Sequence, residues 1–120
     1  MEIVEERLTS LGYRRLERNL WLKGKNTVRV VHSSEFNDSY LRILWREDWK
    51  DYHAIVFDYS LGGGPACIVP VKALLNSPFA MGKRKESSYS NSGYWWSQRF
   101  PFYHELTQLV LSYKKRWELL

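Results

Sequence analysis

Apolar residues fall into two regimes along this chain, helical spacing near both ends and short dense runs between them. Val4, Leu8 and Leu11 stand at i, i+4 and i+7, with Glu2, Glu5, Glu6 and Arg7 largely on the opposite side. That spacing predicts a helix over residues 3–11, closed by Gly12 in a left-handed cap. Residues 13–23 read as a strand with Leu16, Leu20 and Leu22 on one face. The turn chemistry of Lys23-Gly24-Lys25-Asn26 leads into a second strand at 27–33. Alternation there puts Val28, Val30 and His32 on one face and Arg29, Val31 and Ser33 on the other. Residues 34–39 read as a loop. Residues 40–46 read as a third strand with Leu41, Ile43 and Trp45 inward, or as a short helix.

The runs 53–59 (HAIVFDY) and 66–71 (ACIVPV) are continuously apolar, as strands covered on both faces are. The loop 60–65 (SLGGGP) joins them as a hairpin whose three glycines permit positive φ. Pro70 cannot donate to a ladder, so its strand is expected at an edge or ends there. A short helical turn is expected at 72–75. Phe102, Leu106, Leu109, Val110, Tyr113 and Trp117 then form one helical stripe. Pro101 starts that helix, and Lys114, Lys115 and Arg116 suit its C-terminal dipole.

The order α, four or five strands, α, without repeat or linker, gives a single domain over 1–120. Its class is α/β (α+β in looser terms): a central mixed β-sheet of four to five strands with an N-terminal and a C-terminal helix. The expected core joins Val4, Leu8 and Leu11 to Leu20, Val28, Val30, Ile55, Val56, Phe57, Ile68 and Val69. Leu106, Leu109, Val110, Tyr113 and Trp117 complete it.

Charge adds a partner to this picture. The formal net charge is +5 and the pI near 9.4, which favours polyanions through attraction and counterion release. The basic and aromatic residues meet most densely in 83–99 (KRKESSYSNSGYWWSQR). Cations there neutralise phosphates and flat rings stack on bases, although a solvated basic loop beside core aromatics has the same composition. No apolar stretch approaches the ~18 residues a bilayer span needs, so no membrane partner is expected. The charged N-terminus is unlike a signal peptide, and a cytoplasmic location is the expectation.

Catalytic motifs are sparse. No GxSxG, Walker-type loop or GxGxxG occurs, and Gly62-Gly63-Gly64 runs into Pro65 and a strand rather than a helix. The lone cysteine, Cys67, reads as a small core hydrophobe. His32, His53 and His104 lack metal-ligand spacing and read as structural, His32 least so. The acidic stretch 47–51 (EDWKD) reads as a solvated turn. Asp58, on a buried strand, needs a partner, and the expected one is the Gly-rich turn.

The order of elements resembles the PD-(D/E)XK, or restriction-endonuclease-like, domains. Leu11-Gly12-Tyr13 looks like the helix-ending glycine that opens their first strand. Residues 27–34 (TVRVVHSS) sit where members carry an "r-V-Q-V-K-T-S" type strand. Residues 49–70 resemble a later strand pair, and 113–120 (YKKRWELL) their closing aromatic helix. The resemblance implies a restriction-endonuclease-like sheet and a phosphodiester cleft with Mg²⁺ held by acids and a lysine nearby. This chain departs from that pattern. The two strand positions of the ligand element fall on Arg29 and Val31, or on Val30 and His32, and neither pair supplies a carboxylate.

The expected function is therefore nucleic-acid binding, with DNA the expected partner, on a degenerate member of that fold. Its contacts are Arg29, His32, Lys83, Arg84, Lys85, Tyr94, Trp95, Trp96 and Arg99, with no catalytic residue assigned and no cofactor. Two alternatives stand beside it. One is an active nuclease whose Mg²⁺ ligands come from Glu5, Glu6, Glu35, Asp38 and Asp58. The other is a protein-interaction subunit, a homodimer among its forms, that buries the aromatics of 94–103.

Overall fold

The computed structural model describes residues 3–39, 41, 47–76 and 102–120. In chain order these form α1 (Val4–Ser10), β1 (Arg14–Glu17), β2 (Leu20–Lys23), β3 (Asn26–His32), β4 (Ala54–Asp58), β5 (Ala66–Pro70), α2 (Val71–Leu75) and α3 (Phe102–Leu111). Short 3₁₀ helices lie at Glu47–Asp51, Ser60–Gly62 and Trp117–Leu119. The strands make one mixed sheet in the order β1-β2-β3-β4-β5, antiparallel throughout except for the parallel β3–β4 pair. This is the small α+β domain with flanking helices that the hydrophobic pattern implies.

The parallel pair is the middle of the molecule. Its register runs from Val28↔Ala54 through Val30↔Val56 to His32↔Asp58. Two further bonds extend the ladder, His53 N–H to Thr27 O at 2.8 Å and Ser33 N–H to Asp58 O at 3.0 Å. Every residue of β4 is buried, as a strand covered on both sides requires. One face carries Val28, Val30, Ala54, Val56, Ala66 and Ile68 against Val4 and Leu8 of α1, with Trp21 and Trp117. The other carries Ile55, Phe57, Cys67 and Val69 against Leu41, Trp49, Leu74 and Val110. Leu41 is tied to α3 by its N–H, which donates to Thr107 Oγ1 at 2.8 Å.

Three expectations change. The stretch 13–23 is not one strand but the β1–β2 hairpin, turned at Arg18-Asn19. Asn19 adopts φ +65 there, a conformation its short polar side chain tolerates. Trp21 consequently supplies the core contact, while Leu20 and Leu22 are half-buried and Leu16 is 46% exposed. The C-terminal helix stops at Leu111 instead of continuing to Trp117. Beyond it the chain runs beside β5: Ile68 N–H donates to Tyr113 O at 3.1 Å and Lys115 N–H to Ala66 O at 2.7 Å. Lys115 turns at φ +57, and Trp117 reaches the α1 face of the sheet while Val110 stays on the other. The edge ladder on β5 outcompetes a longer helix, and the basic run becomes an edge strap. Finally, Leu11, Leu109 and Tyr113 are half-buried rather than core. The expected strand at 40–46 lies outside the described residues apart from Leu41, as do the side chains of Leu106 and His104.

The Gly-rich hairpin needs its glycines for two different reasons. Gly63 has φ +81. Gly62 and Gly64 instead permit close approach to the segment after β3, since a Cβ on Gly62 would lie 2.6 Å from Ser34 O and one on Gly64 2.5 Å from the Phe36 ring. Because Gly62 has no positive φ, its substitution isolates the steric effect. Gly62→Ala is expected to cost about 1–3 kcal/mol of stability through overpacking, read from a urea titration. An unchanged midpoint would show that the two loops do not touch.

Candidate functional site

Parallel pairing brings the carboxyl ends of β3 and β4 out at the same edge of the sheet. Residues opposite one another in that register share a face, so the last rung sets His32 beside Asp58 on the α1 side. His32 Nδ1 and Asp58 Oδ2 are 2.9 Å apart. The other carboxylate oxygen accepts the Ser60 N–H at 3.1 Å, which is the turn contact expected for this residue. Asp58 is 7% exposed at its side chain and His32 32%. A buried carboxylate is tolerated only when its oxygens are bonded, and here both are. An ionised carboxylate only accepts, so the proton between them sits on Nδ1. Nε2, across the ring, faces away from Asp58.

His32 lines an open groove of about 540 Å³ with Glu5 from α1 and Arg15, Leu16, Glu17, Arg18 and Asn19 from the β1–β2 hairpin. The Asn19 turn carries these residues to the carboxyl end of β3, where Val30 N–H donates to Asn19 O at 2.9 Å. Arg15 lies over the Trp21 ring at 5.1 Å, and its guanidinium is 3.7 Å from Glu5. Both members of that ion pair are about half exposed, so it is worth little and can open to a stronger anion. The lining holds two arginines and two glutamates. Their formal charges cancel.

Arg29 does not line this groove, although its Nη1 donates to the Arg18 carbonyl at 3.5 Å. It projects from the opposite face of β3, 3.5 Å from Asp48 and 5.5 Å from the centre of the Tyr52 ring. The Tyr52 hydroxyl also donates to Asp48 at 3.0 Å, and burial followed by that bond pushes its phenol above the usual range. Arg29 thus locks the 3₁₀ helix Glu47–Asp51 to the sheet, and the acidic stretch there is partly used in packing. Lys83, Arg84, Lys85, Tyr94, Trp95, Trp96 and Arg99 lie outside the described residues, as does most of 94–103.

Three of the carboxylates considered as Mg²⁺ ligands can be placed. Glu5 faces the groove, Asp58 is engaged by His32, and Asp38 lines a different cavity with Phe36, Gly63, Gly64, Pro65, Leu111, Lys114 and Lys115. Among the described residues no three His, Cys, Asp or Glu side chains gather closely enough to hold a metal ion. Nor is any described helix long and apolar enough to cross a membrane. Compared with known protein families, curated proteins and solved structures, the chain matches none.

Two outcomes test this description. Asp58→Ala strands the Ser60 N–H and the His32 ring, and is expected to cost about 1–3 kcal/mol in a denaturant titration. Cost-free removal would mean that the carboxylate is solvated. Cys67 is fully buried and its thiol is pushed up to about 12 by burial. A disulfide exchange reagent at pH 8 is therefore expected to react with it only on unfolding, and fast labelling of the native protein would contradict the packing.

Proposed function

We propose that this domain binds nucleic acid through its phosphates, in the groove shared by His32, Arg15 and Arg18. The scaffold is read as a restriction-endonuclease-like sheet without that family's metal ligands. One observation carries this reading: two arginines and a histidine border a groove at the carboxyl ends of a parallel strand pair, the histidine oriented by a buried carboxylate. Ligands of open sheets containing parallel strands tend to sit outside those carboxyl ends. The charge of +5 favours a polyanion in particular, and guanidinium groups match phosphate geometry.

The resemblance finds support in the order of α1, three strands and a further strand pair. It also finds support in the register. The α1-facing positions of β3 are Val30 and His32, and Glu5 of α1 borders the same groove. Where the family would place acids on the strand, this chain places a valine and an imidazole, and a groove of that kind grips a phosphate directly. Lys83, Arg84, Lys85 and Arg99 add phosphate contacts in this reading, and Tyr94, Trp95 and Trp96 stack on bases. Arg29 is committed to Asp48 and Tyr52.

Fluorescence anisotropy with labelled single- and double-stranded oligonucleotides across a salt series tests the reading. Affinity is expected to fall steeply between about 50 and 200 mM salt. The double substitution Arg15→Ala, Arg18→Ala is expected to weaken binding and to reduce the logarithmic salt slope by about 1–2. Binding that ignores salt, or a double variant indistinguishable from the parent, would sink it.

A further inference from the structure

We infer that the same groove cleaves RNA without a metal ion, with His32 as the catalytic base and Asp58 as the residue that positions it. The inference rests on the nucleic-acid reading and adds a reaction to it. The geometry is that of an oriented imidazole. Asp58 is buried, bonded by Ser60 N–H on one oxygen and by His32 Nδ1–H on the other, so the ring is held in one tautomer. Nε2 lies on the ring edge turned away from Asp58, and His32 borders the groove. A base aligned by a third group and facing a cleft is one half of a proton-transfer site.

The other half is set by what lines the groove. Its residues offer no hydroxyl, thiol or amine, so the nucleophile comes with the substrate or from water. A phosphodiester resists water strongly unless metal ions or a neighbouring group assist. RNA carries that neighbouring group in its 2′-hydroxyl, one bond away from reacting geometry.

The step balances without a co-reactant. Nε2 takes the 2′-hydroxyl proton as the 2′-oxygen forms a bond to phosphorus. The bond from phosphorus to the 5′-oxygen breaks with its electron pair, and that oxygen takes a proton from water. The products are a 2′,3′-cyclic phosphate and a 5′-hydroxyl end. The imidazolium returns its proton to the hydroxide left behind. Arg15 and Arg18 face the non-bridging oxygens, where negative charge grows in the transition state. Asp58 stabilises the imidazolium while it exists. The charged groups bordering His32 are Glu5 from α1, Arg15, Glu17 and Arg18 from the hairpin, and Asp58 from β4. Two arginines stand against three carboxylates, so the imidazolium formed when His32 takes the proton brings the formal charges to balance.

The test incubates the full chain, in EDTA, with a fluorescent oligoribonucleotide and with its 2′-O-methyl and DNA counterparts. The ribose strand is expected to be cut to cyclic-phosphate ends, while the 2′-O-methyl strand is bound and left intact. Single-turnover rates at saturating protein keep weaker binding out of the comparison. Under those conditions His32→Gln is expected to lose at least about 100-fold in rate. Asp58→Asn is expected to lose at least tenfold and to displace the pH–rate profile, which a merely structural role would not do. Circular dichroism checks that both variants fold.

RNA bound but uncut by the parent protein would overturn the inference and leave the binding reading standing. Cleavage that persists in His32→Gln, or that needs added magnesium, would overturn it as well. Failure of all three oligonucleotides to bind would remove the reading beneath it.

Discussion

The parallel pairing of β3 with β4 is the constraint on which the rest of this molecule depends. Of its five rungs, Val28↔Ala54, Val30↔Val56 and Val31↔Phe57 are apolar, and in Arg29↔Ile55 the arginine reaches out to Asp48 while Ile55 stays in the core. The polar rung comes last, at His32↔Asp58, where the ladder meets solvent. A carboxylate two rungs earlier, in place of Val56, would be sealed between Val30 and Ile68 with no water and few donors. At the end of the strand it gains the Ser60 N–H of the following turn and the imidazole of the neighbouring strand. Position in the register makes a buried charge affordable there and an oriented histidine unavoidable.

The surrounding structure holds that rung still from several directions. The Gly-rich hairpin lies so close to residues 34–36 that a methyl group would not fit, which fixes the turn carrying Ser60. Behind the sheet, Arg29 bridges β3 to the 3₁₀ helix through Asp48 and Tyr52. At the far edge, the strap after α3 pairs with β5 and delivers Trp117 to the face that α1 covers. Arg7 of α1 lies over that ring at 5.6 Å, which adds a contact to the packing of Val4 and Leu8 that docks the helix bearing Glu5. A groove built on strand ends and a docked helix has walls whose spacing is set by packing. The exposed side chains of Arg15, Glu17 and Arg18 have room to adjust to a ligand.

Much of the fold is legible in the chain because two physical signals are strong. The dense runs around Ile55 and Ile68 announce strands covered on both faces, and Val4 with Leu8 announces a helix with one buried side. The failures are instructive in the same terms. Nothing in Arg18-Asn19 marks a turn for a reader seeking glycine or proline, yet Asn19 takes a left-handed conformation and splits an expected strand in two. The stripe from Phe102 to Trp117 keeps its helical period, but the backbone gains more by pairing with β5 than by continuing the helix. The site was half visible. His32 and Asp58 each end an apolar run, and a buried acid demands a partner. Their mutual pairing required knowing that β3 and β4 run parallel, which no local pattern encodes. Arg15 and Arg18 were hidden by the missed turn, and Arg29 was set apart from His32 by simple alternation.

Chemical-shift mapping during an RNA titration tests the central claim most directly, because it locates contact without assuming activity. The His32 ring and the backbone amides of residues 15–19 and 60 are expected to move most among residues 3–76, with His53 and Lys72 near stationary. Saturating RNA that leaves His32 and residues 15–19 unmoved would contradict the account.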